Sequence, residues 1–151
     1  MPTIAELVAT GRLERLDADA DASRDLLDHA ARHLESAQLI LAGDPVGAYE
    51  LAYDAARKAV AADMSANGYR AKSDRPGAHA AVVAYAVEAL ASDATPAALR
   101  ELDRMRRTRN RSEYRGVPVG RRQAEVDLEH AAEVVRAVRA RVSATGVDQS
   151  A

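Results

Sequence analysis

The sequence predicts an all-α fold, a five- to six-helix bundle in one domain, and three observations predict it. Alanine is by far the commonest residue, and it is the strongest helix former. Aromatic residues make up 3% of the chain and are all tyrosine, which leaves a β-sandwich or barrel without its usual core material. Apolar residues recur at three- and four-residue spacing, and no long stretch alternates with period two. A length of 151 residues suits a single domain with a single core.

Each element follows from its pattern. Residues 1–20 read as a short N-terminal arm, in which Ile4–Thr10 forms a small helix ending near Gly11. Asp17–Ser23 is acidic and alanine-rich and reads as a cap region. Leu26, Leu27, Ala30, Leu34, Ala37 and Leu41 then fall on one helical face, which stops at Gly43. Asp44-Pro45 opens the next helix, with a capping side chain before a proline in the first turn. Its apolar face carries Tyr49, Ala52, Tyr53, Ala56, Ala59, Val60 and Met64, and Asn67-Gly68 ends it. Tyr49 and Tyr53, four residues apart, read as a packing pair rather than a base-stacking platform.

Tyr69–Gly77 reads as a polar loop. Ala78–Ala91 is the most apolar segment and is expected at the centre of the bundle. Thr95-Pro96 caps and starts a fifth segment, Ala97–Arg115, which Gly116–Gly120 interrupts. Gln123–Val142 is a last helix with Val126, Ala131, Val134, Val135 and Val138 inside, followed by a frayed tail over 144–151.

Composition excludes several chemistries. The chain has no cysteine, so disulfides, thiolate nucleophiles and cysteine-ligated metals are absent. No phosphate-cradling glycine loop or serine-nucleophile motif occurs. His29 and His33 share a helix face at i, i+4, with Asp25, Glu35, His79 and His130 as further ligand candidates. No His-Glu-x-x-His pattern accompanies them, and neither a metal nor a cofactor is expected. No basic-then-apolar leader and no run of 18 apolar residues is present, so a cytoplasmic protein with no membrane contact is expected.

Charge is unevenly distributed. The whole chain carries −2, but Arg100–Arg122 holds nine arginines against three acids, a local +6 on a body of −8. Such a segment concentrates anion attraction in one place. Glu101 and Asp103 can pair with Arg100, Arg104 and Arg107 along the helix surface. Arg109 is different, because it continues the apolar stripe Ala98, Leu102, Met105. An inward arginine is either paired with a carboxylate from another helix, such as Glu50 or Asp54, or functional. Asn110 and Tyr114 share a face beside it, just before the glycine break.

Arg109-Asn110-Arg111-Ser112-Glu113-Tyr114, late in an all-α chain of this size, resembles the motif region of the HEPN superfamily (higher eukaryotes and prokaryotes nucleotide-binding domains). The helix containing Tyr49-Glu50-Leu51-Ala52-Tyr53-Asp54-Ala55 and the loop leading into Pro76-Gly77-Ala78-His79 fit the same layout, so the resemblance spans about Asp25 to Val142. It implies a HEPN-like helical domain over residues 1–151 that forms a homodimer. It also implies a metal-independent ribonuclease or RNA-binding activity in a cleft built by two copies of the motif. Arg109 matches the motif arginine and Asn110 the polar residue after it. The motif histidine is replaced by Tyr114, whose side chain ordinarily titrates near 10 rather than near 6.5.

The resemblance thus implies Arg109, Asn110 and Tyr114 as catalytic residues, with Glu50, Asp54 and Glu113 in support. Arg106, Arg107, Arg111 and Arg115 would contact nucleic acid. It further implies a toxin of a toxin–antitoxin or defence system, with an antitoxin or nucleotidyltransferase partner. The substitution of the histidine leaves open a catalytically inactive protein-interaction module.

Overall fold

The computed structural model describes residues 1–151 except 73, 75, 117, 150 and 151; for 112–115 and 145–149 it describes the backbone alone. In chain order the elements are α1 (Ile4–Ala9), β1 (Leu13–Arg15), α2 (Ala20–Ile40), α3 (Pro45–Asn67), β2 (Tyr69–Ala71), α4 (Ala78–Ala89), α5 (Pro96–Arg115) and α6 (Arg121–Gln149). Among the described residues the protein is an all-α bundle of six helices with one small two-stranded ribbon. Among the described residues, no helix is long and apolar enough to cross a membrane.

Side chains cap the starts of α1, α2, α3 and α5, those of α3 and α5 at the residues the sequence predicts. Thr3 and Glu6 form a reciprocal capping box on α1, and Asp19 accepts from the Ala22 amide at the start of α2. Asp44 accepts from the Gly47 amide ahead of Pro45, and Thr95 accepts from the Ala98 amide ahead of Pro96. Glu133 of α6 in turn takes both the amide and the hydroxyl of Thr95, each at 2.8 Å, which ties the start of α5 to α6.

The central element is α3, not the more apolar α4. It packs against α2, α4, α5, α6 and β2. Ala48, Ala52, Ala55, Ala56, Ala59 and Ala62 are all buried and form one stripe over about a third of its circumference. Side chains this small let the helices packed on that stripe approach closely. With Tyr49, Tyr53, Val60, Asp63 and Met64 the buried positions take in more than half of the circumference, which marks α3 rather than α4 as surrounded.

Four further expectations change. The stretch read as a polar loop begins with β2, which pairs antiparallel with β1 in the register Leu13↔Ala71 and Arg15↔Tyr69. Three-residue strands are too short to display a period of two. Gly68 makes the ribbon possible: it ends α3 at φ +79°, and a Cβ there would lie 2.6 Å from the Leu16 carbonyl oxygen. The N-terminal arm therefore belongs to the packed body, with Leu7 and Leu13 in the core. Val126, expected inside, is 41% exposed; its neighbour Asp127 is buried instead. The last helix also begins earlier and runs to Gln149, past the expected fraying point.

Two buried carboxylates hold the outer helices to one another. Asp63 on α3 accepts from the Tyr85 hydroxyl of α4 at 2.8 Å and from Arg141 Nε of α6 at 2.9 Å. Arg141 reaches on to Asp93 at 3.0 Å. Asp127 on α6 accepts from Gln123 at 2.6 Å and pairs with Arg104 of α5, which also holds Glu101. Burying a carboxylate costs free energy that only this degree of pairing offsets. Removing one member leaves the other charged and dry, at a cost of about 3–5 kcal/mol. Arg141→Ala is therefore expected to lower unfolding stability by about 3 kcal/mol in urea titrations. Loss of the exposed Asp21–Arg24 pair is expected to change it by less than about 1 kcal/mol. Equal losses at the two sites would contradict a structural role for the Asp63 pair.

Candidate functional site

Polar side chains from α3, α4 and α5 converge beside the start of α4. Tyr53 is buried on α3, because its position continues the helix face that carries Ala52, Ala56 and Ala59 inward. A buried phenol needs a polar partner. Tyr53 Oη lies 3.2 Å from His79 Nδ1, and the two rings stack with centroids 6.1 Å apart. From α5, the guanidinium carbon of Arg109 sits 5.9 Å from the centroid of the Tyr53 ring, within cation–π range.

The neighbouring turn of α3 supplies charge. Asp54 binds Arg57 at 2.6 Å, pairs with Lys58, and lies 3.3 Å from His33 of α2. Burial pushes the Asp54 carboxyl up, but the hydrogen bonds from Lys58 and Arg57 outweigh it and hold the net value below the ordinary one. On α5, Asp103 holds Arg106 at 3.0 Å and Arg107 at 3.3 Å.

These surroundings shift the two aromatic partners in opposite directions. Burial raises the Tyr53 phenol to about 12, although Arg57, Arg106 and Arg109 pull it back. Burial first, then Arg57, Arg109 and Arg106, push His79 below its ordinary value, with Asp54 opposing. The place of His79 in the first turn of α4 adds to this, since the positive end of a helix disfavours an imidazolium. His33 is lowered as well, by burial and by Lys58.

A groove of about 380 Å³ opens beside the cluster. Leu26, Met64 and Val82 give it an apolar lining, and Arg57, Arg70 and His79 give it polar edges. That size falls in the range of small-ligand clefts. His79 and Arg57 thus belong both to the charged cluster and to the wall of the groove. Among the described residues, no group of three or more acids and histidines is placed to hold a metal ion.

The sequence-derived residues divide between several places. Arg109 is half-buried and faces Tyr53, while Asn110 follows it, also half-buried. Arg106 and Arg107 are held by Asp103, and Arg111 is exposed, with Nη2 3.4 Å from the Thr108 hydroxyl. Asp54 engages Arg57, Lys58 and His33, and Glu50 is half-buried one turn before it. The side chains of Glu113, Tyr114 and Arg115 lie outside the described residues. Tyr53, Arg57 and His79 were not among the residues expected at the site. The sequence marks His79 only by its place just after Pro76-Gly77 at a helix start and as one of several loosely spaced metal-ligand candidates; its pairing with Tyr53 spans 26 residues. No protein-family model matches the chain, and no curated protein or solved structure is detectably similar to it.

Both lowered histidines link stability to pH. Each binds its proton less readily in the fold than in the unfolded chain, where histidine titrates near 6.5. Their contribution is complete above about pH 6.5 and is lost as pH falls through the depressed folded values. The melting temperature is therefore expected to fall between about pH 7.5 and about pH 5.5, above the carboxylate range. The fall should be smaller in a His33→Gln, His79→Gln double variant. Parallel curves for the two proteins would refute the linkage.

Proposed function

We propose that the chain is a divergent HEPN-type protein that binds RNA and cleaves it as a metal-independent ribonuclease. The observation that carries this reading is the gathering of Arg57, Arg106 and Arg109 around the Tyr53–His79 pair. A guanidinium has five donors, so one that already holds a carboxylate keeps donors for a second anion. Asp54 and Asp103 fix Arg57 and Arg106 in place without using up their donors. A phosphodiester entering here meets several arginines beside an imidazole, and charge developing on its oxygens in the transition state is stabilised by donors already in position.

In this reading Arg109 contacts the scissile phosphate, Asn110 orients it by hydrogen bonds, and Tyr114 supplies a positioning hydroxyl. Arg106, Arg107, Arg111 and Arg115 add charge along the same helix for the rest of the RNA backbone. One short motif per chain supports a homodimer, with the α5 helices near its axis completing a composite cleft. The setting we infer is cytoplasmic, as the toxin of a toxin–antitoxin or defence pair, with an antitoxin or nucleotidyltransferase as cognate partner. A second reading, an inactive interaction module, is favoured by one specific feature: the tyrosine where the family motif has histidine.

Fluorescence anisotropy with labelled unstructured RNA in a chelator-containing buffer tests the proposal. Arg109→Ala is expected to weaken binding roughly tenfold, as loss of a charge-assisted hydrogen bond does. The log–log salt slope should fall by about 0.7, the amount for one phosphate contact on a single strand. A wild-type protein that neither binds nor cleaves RNA, or an Arg109→Ala protein with unchanged affinity, would instead support the interaction module. Light scattering checks the assembly, and a strictly monomeric species would argue against the composite cleft.

A further inference from the structure

We propose that His79 is the general base of the cleavage centre, acting from the start of α4 in place of the histidine missing from the α5 motif. The inference rests on the RNA-cleavage reading above and adds to it the identity of the proton acceptor.

Four observations carry it. First, cleavage of RNA without a metal requires a group titrating near neutrality to take the 2′-hydroxyl proton, and a tyrosine at position 114 ordinarily holds its proton to about pH 10. Second, of the four histidines His79 is the one set among the arginines. His29 is exposed on α2, His33 is engaged with Asp54, and His130 lies on α6 near Glu133. Third, the ring is held in orientation. Tyr53 stacks on it and its hydroxyl meets Nδ1, which leaves Nε2 as the nitrogen able to meet a substrate. In the proposed base form Nδ1–H donates to the Tyr53 oxygen, and Nε2 carries the lone pair. Fourth, His79 lines the groove together with Arg57, so a ligand entering there reaches the imidazole and a guanidinium at once.

The groups facing His79 are Tyr53, Asp54 and Arg57 from α3 and Arg106 and Arg109 from α5. Three cations against one carboxylate favour a neutral ring at pH 7, which is the form a base requires. In the step itself, the 2′-hydroxyl proton passes to Nε2 and the 2′-oxygen attacks phosphorus. The phosphorus–5′-oxygen bond breaks, giving a 2′,3′-cyclic phosphate, and the departing 5′-oxygen takes a proton from water. His79 then returns its proton to solvent, so protons and charge balance with no further reactant. Arg57 and Arg109 face the negative charge as it forms.

The test measures cleavage of an oligoribonucleotide in chelator by wild type, His79→Ala, His79→Gln and Tyr53→Phe, with RNA affinity measured in parallel. His79→Ala and His79→Gln are expected to lose about 100-fold or more in kcat while RNA affinity changes by less than about threefold. The acid limb of the wild-type pH profile should vanish with the imidazole, and added free imidazole should restore part of the His79→Ala rate. Tyr53, as a positioning residue, should shift that limb in Tyr53→Phe without abolishing turnover. A 2′-deoxy nucleotide at the scissile position should block cleavage. Unchanged turnover in both His79 variants would overturn the assignment and leave the RNA reading intact. Binding without cleavage by wild type from about pH 5 to about pH 9 would overturn the assignment while leaving RNA binding standing. Neither binding nor cleavage by wild type would overturn both.

Discussion

Helix α3 is enclosed by four other helices, and a stripe of buried alanines lets those on that side approach it closely. That constraint organises the rest. A leucine at Ala52, Ala55 or Ala59 would hold neighbouring helices apart, since close-packed interiors accommodate added methylene groups only with strain. The large side chains that α3 does carry, Tyr49 and Tyr53, are each 1% exposed. Enclosure pushes both phenols up to about 12. The Tyr49 hydroxyl is buried near Asp127, Arg104 and Thr108 without a hydrogen bond of good geometry among the described residues. Tyr53 finds His79, a contact that brings the start of α4 to the charged cluster on α3 and α5.

Because a core built of alanine buries little area per residue, polar links do more of the work of specifying how the helices meet. Asp63 joins α3, α4 and α6, and Asp127 joins α5 and α6. Ion pairs of this kind contribute little net stability compared with well-packed apolar groups, but they strongly penalise any packing that leaves the carboxylate alone. The same arginine-rich composition serves both purposes. Arg104 and Arg141 are held by buried acids, while Arg57, Arg106 and Arg109 face Tyr53 and His79. The local excess of positive charge on α5 is thus divided between holding the bundle and creating a field at one place on its surface.

That field acts on a histidine held at a helix start, where both the helix and the arginines favour the uncharged ring. In the proposed cleavage reading, an anion in the groove would offset part of the arginines' charge and so ease protonation of the ring.

How much could be read in advance follows from the range of each signal. The positions of the helices apart from the ends of α6, the caps at Asp44 and Thr95, and the stop at Gly68 depend on neighbours within four residues, and they stand in the structure as the pattern predicts. The basic character of α5 and the inward position of Arg109 on its stripe are equally local. Tertiary structure alone decided that α3 is central, that β1 and β2 pair, that Val126 faces out while Asp127 faces in, and that His79 meets Tyr53 and the arginines. Each of these rests on contacts between residues distant in sequence, or on which side of a helix finds a neighbour. Periodicity states that a helix has an inner face; it does not state what that face will touch.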